Sequence, residues 1–408
     1  MIYAAYFNKT SILALLVSLP ILLLPGHRYE IGTLILLFFS LHILFTKRRL
    51  ELNQNALLVW SMLFSAIWIP SLASLPDAIN FSHSATNAFG QLRFYIAGIA
   101  IVYILSNSNV WPIFFSFLGI GLSFVFFDNI VQLLTGTDIF GLPTYVGRLN
   151  APWTSDGPKM GIFIALLAPI IVGYFFDRKP LVAWALSAMA IFLILMSGQR
   201  GAWLALSTSL LIYMATFGKD LKRHLPFIFK LSTALALSLL IAYSTFPPFK
   251  ERADFTLVVL NFDDASLQKS TGRLEIWKAA AKVIEENPLN GVGIRGFRYA
   301  ESTGERPRNH VHSTTIEIFT EAGLIGIIGY IFFFWILFRK LLKSTVDRLT
   351  HLQRFTLGSV VAAASPLSMS LAFYSSNKAT IFWYITALLV SFFFVKASDK
   401  DLELKKSS

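Results

Sequence analysis

The chain contains no cysteine. That excludes disulfides and thiolate-held metals, and leaves the compartment open. Charge is scarce as well: 14% of the 408 residues are Asp, Glu, Lys or Arg, against about 25% in soluble globular domains. Acidic residues are the rarer sign, 23 against 35 basic ones, so the net charge is +12. No internal repeat, low-complexity tract or soluble catalytic domain stands out. What fills the chain is apolar, 55% hydrophobic and 15% aromatic, with a mean hydropathy of +0.61.

The few charges fall in short clusters between apolar segments of about 17–25 residues, the length that crosses a bilayer as a helix. Twelve such segments are predicted, near 10–25, 31–46, 56–73, 93–107, 112–132, 159–176, 180–197, 202–217, 225–246, 313–338, 355–373 and 379–396. The opening stretch "MIYAAYFNKTSILALLVSLPILLL" lacks the small-residue cleavage site of a signal peptide, so it reads as a retained first span. The expectation is an all-α, polytopic single membrane domain over residues 1–408, with a long loop at 247–312 between spans nine and ten.

In such a chain a basic surplus reports orientation, not nucleic-acid binding. One alternate set of connections carries Lys47, Arg48 and Arg49; Arg178 and Lys179; Lys219, Lys222 and Arg223; and Arg339, Lys340 and Lys343, and the tail adds Lys405 and Lys406. The other set carries only isolated residues: Arg28, Arg93, Arg148, Lys159, Arg200 and Lys378. Both termini are therefore expected in the cytoplasm, with the long loop facing outward. Inside that loop, "STGRLEIWKAAAKVIEENPLNG" predicts an amphipathic helix near 271–286. Ser270 or Thr271 offers a cap, Leu274, Trp277, Ala281 and Ile284 form one face, and Asn287-Pro288 stops it. It reads as a helix lying on the membrane or bundle, or as a solvated lid.

Polar chemistry collects on the outward side. "YVGRLNAPWTSDGPKMG" (145–161) carries Arg148 and Lys159, and "MSGQRGAWLAL" (196–206) carries Arg200. Arg273 opens the loop helix, Arg295 follows the turn "NPLNGVGIRGF", and "RNHVHSTTIEIFTEAGLIG" holds His310 and His312. Taken singly, Arg200 reads as a snorkelling side chain, Arg148 as a loop arginine and Arg295 as part of a turn. Together they suit an anionic lipid headgroup or a pyrophosphate, which arginine grips with fixed donors. The histidines admit metal binding, an interfacial anchor or proton transfer. A metal needs a third ligand, and nothing places the acidic pair Asp263-Asp264 beside them. A neutral histidine among arginines suits a general base.

His312-Ser313, nine residues, then Gly323-Leu324-Ile325-Gly326 resembles the signature of the O-antigen ligase family. Glu317 and Glu321 sit in register with acidic positions of its wider superfamily, and Ser313 stands where asparagine is commoner. "SGQRGAWL" is similar to a second motif and supplies Arg200; "GRLEIWKAA…NPLNGVG" resembles the segment that opens the large loop and supplies Arg273. "GRLNAPWTSDGPKMG" resembles a third segment more loosely, with Arg148 and Lys159.

The resemblance implies a metal-independent, inverting glycosyltransferase without cofactor, at the periplasmic face of a Gram-negative inner membrane. Its donor would be a polysaccharide on undecaprenyl pyrophosphate, and its acceptor an outer-core sugar of lipid A–core. His312 would be the catalytic base. Arg200, Arg273 and Arg148 would hold pyrophosphate, and His310, Glu317, Glu321, Lys159 and Arg295 would support the site or the acceptor. A polymerase or a protein O-oligosaccharyltransferase of the same superfamily shares this chemistry. A transporter of lipids or solutes would call for mid-membrane charges and broken helices in matching halves, which the sequence does not show.

Overall fold

The computed structural model describes residues 29–46, 52–145, 148–152, 159–217, 221–245, 273–300, 310–342, 349–365 and 372–395, with isolated positions between 247 and 254. Over these the chain forms α-helices and no β-strand, only two isolated bridges, Thr137–Pro143 and Tyr145–Arg148. The helices are α1 Tyr29–Phe45, α2 Gln54–Ala73, α3 Phe81–Gly90, α4 Leu92–Leu105, α5 Trp111–Thr135, α6 Met160–Phe176 and α7 Pro180–Met196. They continue with α8 Arg200–Ala215, α9 Leu221–Thr245, α10 Arg273–Glu286, α11 Thr314–Leu342, α12 His351–Ala364 and α13 Ser376–Phe393.

The first expected span, 10–25, and parts of the 247–312 loop, chiefly 255–272 and 301–309, lie outside the described residues. The other expected segments overlap helices, but the one expected over 355–373 is helical only to Ala364, where α12 ends and Ser365 turns extended. Among the described residues, four stretches are by length and composition long and apolar enough to cross a membrane: Gln54–Ala73, Phe81–Leu105, Ser108–Thr135 and Thr314–Arg339. Short α3, which the sequence reading left unassigned, leads directly into α4.

Local chemistry sets the helix ends. Asn53 accepts the N–H groups of Asn55 and Ala56 to start α2, and Thr350 with Gln353 forms a capping box on α12. Pro180 opens α7, where a missing N–H costs nothing. Several helices are apolar around most of their circumference. On α5, Ile113, Phe117, Ile120, Phe124 and Phe127 point outward at helical spacing, as do Ile328, Ile331, Phe332 and Trp335 on α11. Such faces belong against lipid.

Helices cross closely where side chains are absent. A Cβ on Gly329 would lie 2.2 Å from the Ala66 carbonyl, one on Gly358 would lie 2.5 Å from the Ser209 carbonyl, and one on Gly173 would lie 2.9 Å from the His351 carbonyl. Small residues at such crossings are the usual device of membrane helix packing. An aromatic cluster of Trp60, Phe64, Tyr95 and Trp383 fills the space among α2, α4 and α13.

The bundle has two distinct ends. At one, His351 of α12 meets Tyr213 near the end of α8 at 2.7 Å and Asp177, just past α6, at 3.5 Å. Gln353 donates to the Phe392 carbonyl of α13 there at 2.8 Å. Because α6, α8 and α13 all run along α12 and finish here, their first residues, Met160, Arg200 and Ser376, lie together at the opposite end. That end is tied by Arg93, which pairs with Glu30 at 3.0 Å and donates to Ser376 at 2.9 Å.

Candidate functional site

The site end is organised around a break in α11. Gly323 takes φ 61°, ψ −159°, which only glycine adopts easily, and the helix kinks there. The freed N–H groups of Leu324 and Ile325 donate to the carbonyls of Pro288 and Leu289, at 2.9 and 3.2 Å. The Val292 N–H donates to Thr320 at 3.0 Å, and the Val292 carbonyl accepts from Ile79 at 3.1 Å. A Cβ on Gly323 would lie 2.1 Å from the Leu289 carbonyl oxygen, and one on Gly291 would lie 2.5 Å from the Glu321 carbonyl carbon. The "NPLNG" turn is thus laid backbone to backbone on the kink, and the two glycines are what allow it.

Helix α10 begins at Arg273, as expected, and ends at Glu286, immediately before Asn287-Pro288. Its buried face differs from the expected one. Ala281 is exposed; Ile276, Trp277, Ala280 and Val283 face inward and form a small core with Val292, Phe297, Ala300 and Val311. The helix rotates because it packs on the 292–300 turn and the start of α11, which favour the small Ala280 methyl over the neighbouring face. It packs on the bundle, one of the places expected for it. Trp277 completes the attachment by donating its indole N–H to the Val311 carbonyl at 3.1 Å.

Val311 sits between the histidines, so this bond positions both. His312 has φ 59°, the left-handed region, and that turn brings the two imidazoles to a centroid distance of 3.9 Å. His310 is held well below the usual histidine range, at about 3, first by burial and then by the charges of His312, Arg295, Lys378 and Arg298. It is neutral at physiological pH.

Glu317 and Glu321, one turn apart on α11, are fully buried beneath. Glu321 accepts the backbone N–H of Arg295 at 2.7 Å, and Arg295 is itself at φ 61°. Glu317 accepts the N–H groups of Phe373 and Tyr374 and lies within electrostatic reach of Lys378. Lys378, on the first turn of α13, is buried and donates to Thr314 Oγ1 at 2.7 Å. The sequence reading missed Lys378 as a site residue because it falls at a span boundary, where a lysine looks like a topology marker. It also missed Arg298 and His83, which carry no motif.

The second group lies on α5 to α8. Gln132 Oε1 accepts from the N–H of Asn150 at 2.7 Å and of Ala151 at 3.2 Å. Asn150 Oδ1 in turn accepts the Lys159 N–H at 2.8 Å, and Gln199 Oε1 accepts the Ile162 N–H at 3.2 Å. These bonds gather the segments bearing Arg148, Lys159 and Arg200 about the start of α6. Arg148 comes close enough for its charge to act on Arg200. Arg273 is the first residue of α10, and its backbone alone is described. The structure therefore brings His310, His312, Arg295, Glu317 and Glu321 into one cluster, and Arg148 and Arg200 into another at the same end. Among the described residues, no three His, Asp or Glu side chains gather closely enough to hold a metal ion.

A histidine pair held by a left-handed turn beside Arg295, Arg298 and Lys378, with Arg148 and Arg200 gathered at the same end of an apolar bundle, suits transfer chemistry on a lipid-borne anion. Residues 185–331 match the family model described as O-antigen ligase. The match supports membership of the O-antigen ligase family. It runs from within α7 to within α11 and contains Arg200, Arg273, Arg295, His310, His312, Glu317 and Glu321; Arg148 and Lys159 precede it. No curated protein matches the chain. The O-antigen ligase match also contains both glycines of the kink, Gly291 and Gly323.

Proposed function

We propose that this protein is an O-antigen ligase. It transfers a polysaccharide from undecaprenyl pyrophosphate to an outer-core sugar of lipid A–core, at the periplasmic face of a Gram-negative inner membrane. The observation that carries this reading is the left-handed turn at His312, which holds its imidazole against a neutral His310 beside a cluster of arginines.

In this reading the acceptor hydroxyl oxygen attacks the anomeric carbon of the donor. A C–O bond forms there as the bond to pyrophosphate breaks, and the hydroxyl proton passes to His312. The bonding pair leaves with the lipid pyrophosphate, and one displacement inverts the anomeric centre. Arg200, Arg273 and Arg148 take up the charge on the leaving group, a role in which preorganised donors supply much of the rate. Lys159 lies close by as a further cation. His310 and Arg295 shape the acceptor side, with Glu317 and Glu321 holding Arg295 and the 373–374 backbone in place. The arginines make a metal unnecessary.

The test is transfer by purified protein from undecaprenyl-pyrophosphate polysaccharide to lipid A–core in the presence of chelator, with His312→Ala alongside. A capped ladder that disappears in the variant is the expected result. Lengthening of the lipid-linked donor without capping would make the protein a polymerase and sink the ligase reading. A ladder that survives His312→Ala would keep the activity and remove the base.

A further inference from the structure

The site end holds a second cationic cluster, apart from the arginines assigned to the leaving group. Arg298 follows the 292–296 turn, within mutual charge reach of Arg295 and of Glu321. The same turn lies directly on the start of α3: a Cβ on Gly293 would meet the Ser84 hydroxyl at 2.6 Å. This contact places His83 beside both arginines, with its ring against Tyr299 at 5.4 Å, edge on. His310 closes the pocket on the side of the histidine pair.

The polar atoms here are unusually unsatisfied. Among the described residues, His83 Nε2, Ser84 Oγ, Arg295 Nη1, Arg298 Nε and His310 Nε2 are all buried without a hydrogen-bond partner. Ser84 is 0% exposed. Buried polar groups in folded proteins are nearly always paired, so several in one place point to an absent ligand. The charges say what kind. The two buried carboxylates, Glu317 and Glu321, face three cations, Lys378, Arg295 and Arg298, so positive charge is in excess here. An anion restores the balance. Five converging groups from three segments fit the several oxygens of a phosphate better than the two of a carboxylate, and arginine forks suit that geometry. Tyr299, 41% exposed, marks the open mouth.

We propose that Arg298, Arg295, His83 and Ser84 form a subsite for a phosphate group on the acceptor saccharide. This rests on the ligase reading, in which the donor pyrophosphate occupies the arginines around α6 and α8. The α3 pocket lies on the other group of helices, so its anion belongs to the second substrate. An acceptor sugar anchored here by its phosphate presents a neighbouring hydroxyl to His312.

The test uses full-length protein in nanodiscs. Both transfer and equilibrium binding are measured with fluorescent lipid A–core, native or with its core sugar phosphates removed enzymatically. Wild type is compared with Arg298→Gln and Arg298→Lys. The expected result is an acceptor KM and Kd about tenfold higher for the dephosphorylated core in wild type, the scale of one charge-assisted contact. In Arg298→Gln that preference collapses to near unity, Arg298→Lys retains part of it, and donor KM does not follow. Equal preference in wild type and Arg298→Gln would overturn the subsite. So would competition by phosphatidylglycerol with no discrimination between the two cores, which would assign the pocket to a membrane headgroup. Phosphate-dependent binding without any transfer would uphold the subsite and sink the ligase reading. Transfer that ignores core phosphate would do the reverse.

Discussion

The Trp277 indole N–H donates to the Val311 carbonyl at 3.1 Å, so helix α10 holds the one residue that separates the two histidines. The bond, with the apolar contact of Val311 in the same small core, links α10 to the proposed base. Trp277→Phe keeps an aromatic ring in the small core but deletes the donor, worth about 0.5–1.5 kcal/mol, together with part of the ring volume. The helix stays folded, while the 310–313 backbone loosens. We expect transfer to drop several-fold, with faster hydrogen exchange confined to that segment. Unchanged exchange there would refute the linkage.

The kink at Gly323 makes a sharper prediction. A side chain on Gly323 or Gly291 drives a carbon into backbone that has nowhere to go, since each meets the other strand of the turn within 2.5 Å. Both also need positive φ, at 61° and 68°. Gly323→Ala and Gly291→Ala should each lower thermal stability by several kcal/mol, the scale of a substitution that forces backbone apart. Gly141→Ala is the control. Its φ is 77°, yet a Cβ there meets nothing within 4 Å, so it should cost about 1 kcal/mol from strain alone. If all three variants melt together, the backbone-on-backbone reading fails.

How far the sequence alone reaches can be judged from particular residues. Apolar runs located the helices because lipid-facing and core-facing positions are both hydrophobic, and Arg200 and Arg148 were legible as cations stranded at an apolar boundary. The face of α10 was misjudged by one position. Ala280 and Ala281 are chemically identical, and only the partner surface of Phe297 and Val311 chooses between them. Lys378 was hidden in the same way. A lysine at a span end has an ordinary meaning, and its burial against Glu317 depends on α13 meeting α11, a contact between residues far apart in the chain. His83 and Arg298 have no local pattern at all.

Arg200 and Arg148 should carry the donor side. If they neutralise the departing pyrophosphate, Arg200→Ala should lower kcat about 10²-fold, the cost of losing one preorganised donor to a developing charge. Arg200→Lys should recover only a minor part, because a point charge cannot reproduce the guanidinium fork. Acceptor KM should hardly move in either variant. A loss confined to acceptor KM would place these arginines at the wrong substrate.

His310 makes the fold itself sensitive to acid. Its pKa lies near 3 in the folded protein, against an ordinary 6.5 in an unfolded chain. The groups that face it are cationic or neutral: His312 beside it, Arg295 and Arg298 on the turn, and Lys378 on α13. Between those two pH values the unfolded chain binds a proton at this position and the folded one does not. Folding stability then falls as pH drops through the window, and the contribution is fully present above 6.5. His310→Gln cannot take up the proton, so its melting temperature should decline less steeply than that of wild type between pH 6.5 and 4. Parallel melting curves over that range would mean that His310 is not held neutral. The same variant sorts the pH dependence of transfer. A loss of activity in acid that persists in His310→Gln belongs to another group, and His312, whose imidazole must be neutral to accept the acceptor proton, is the one the mechanism requires.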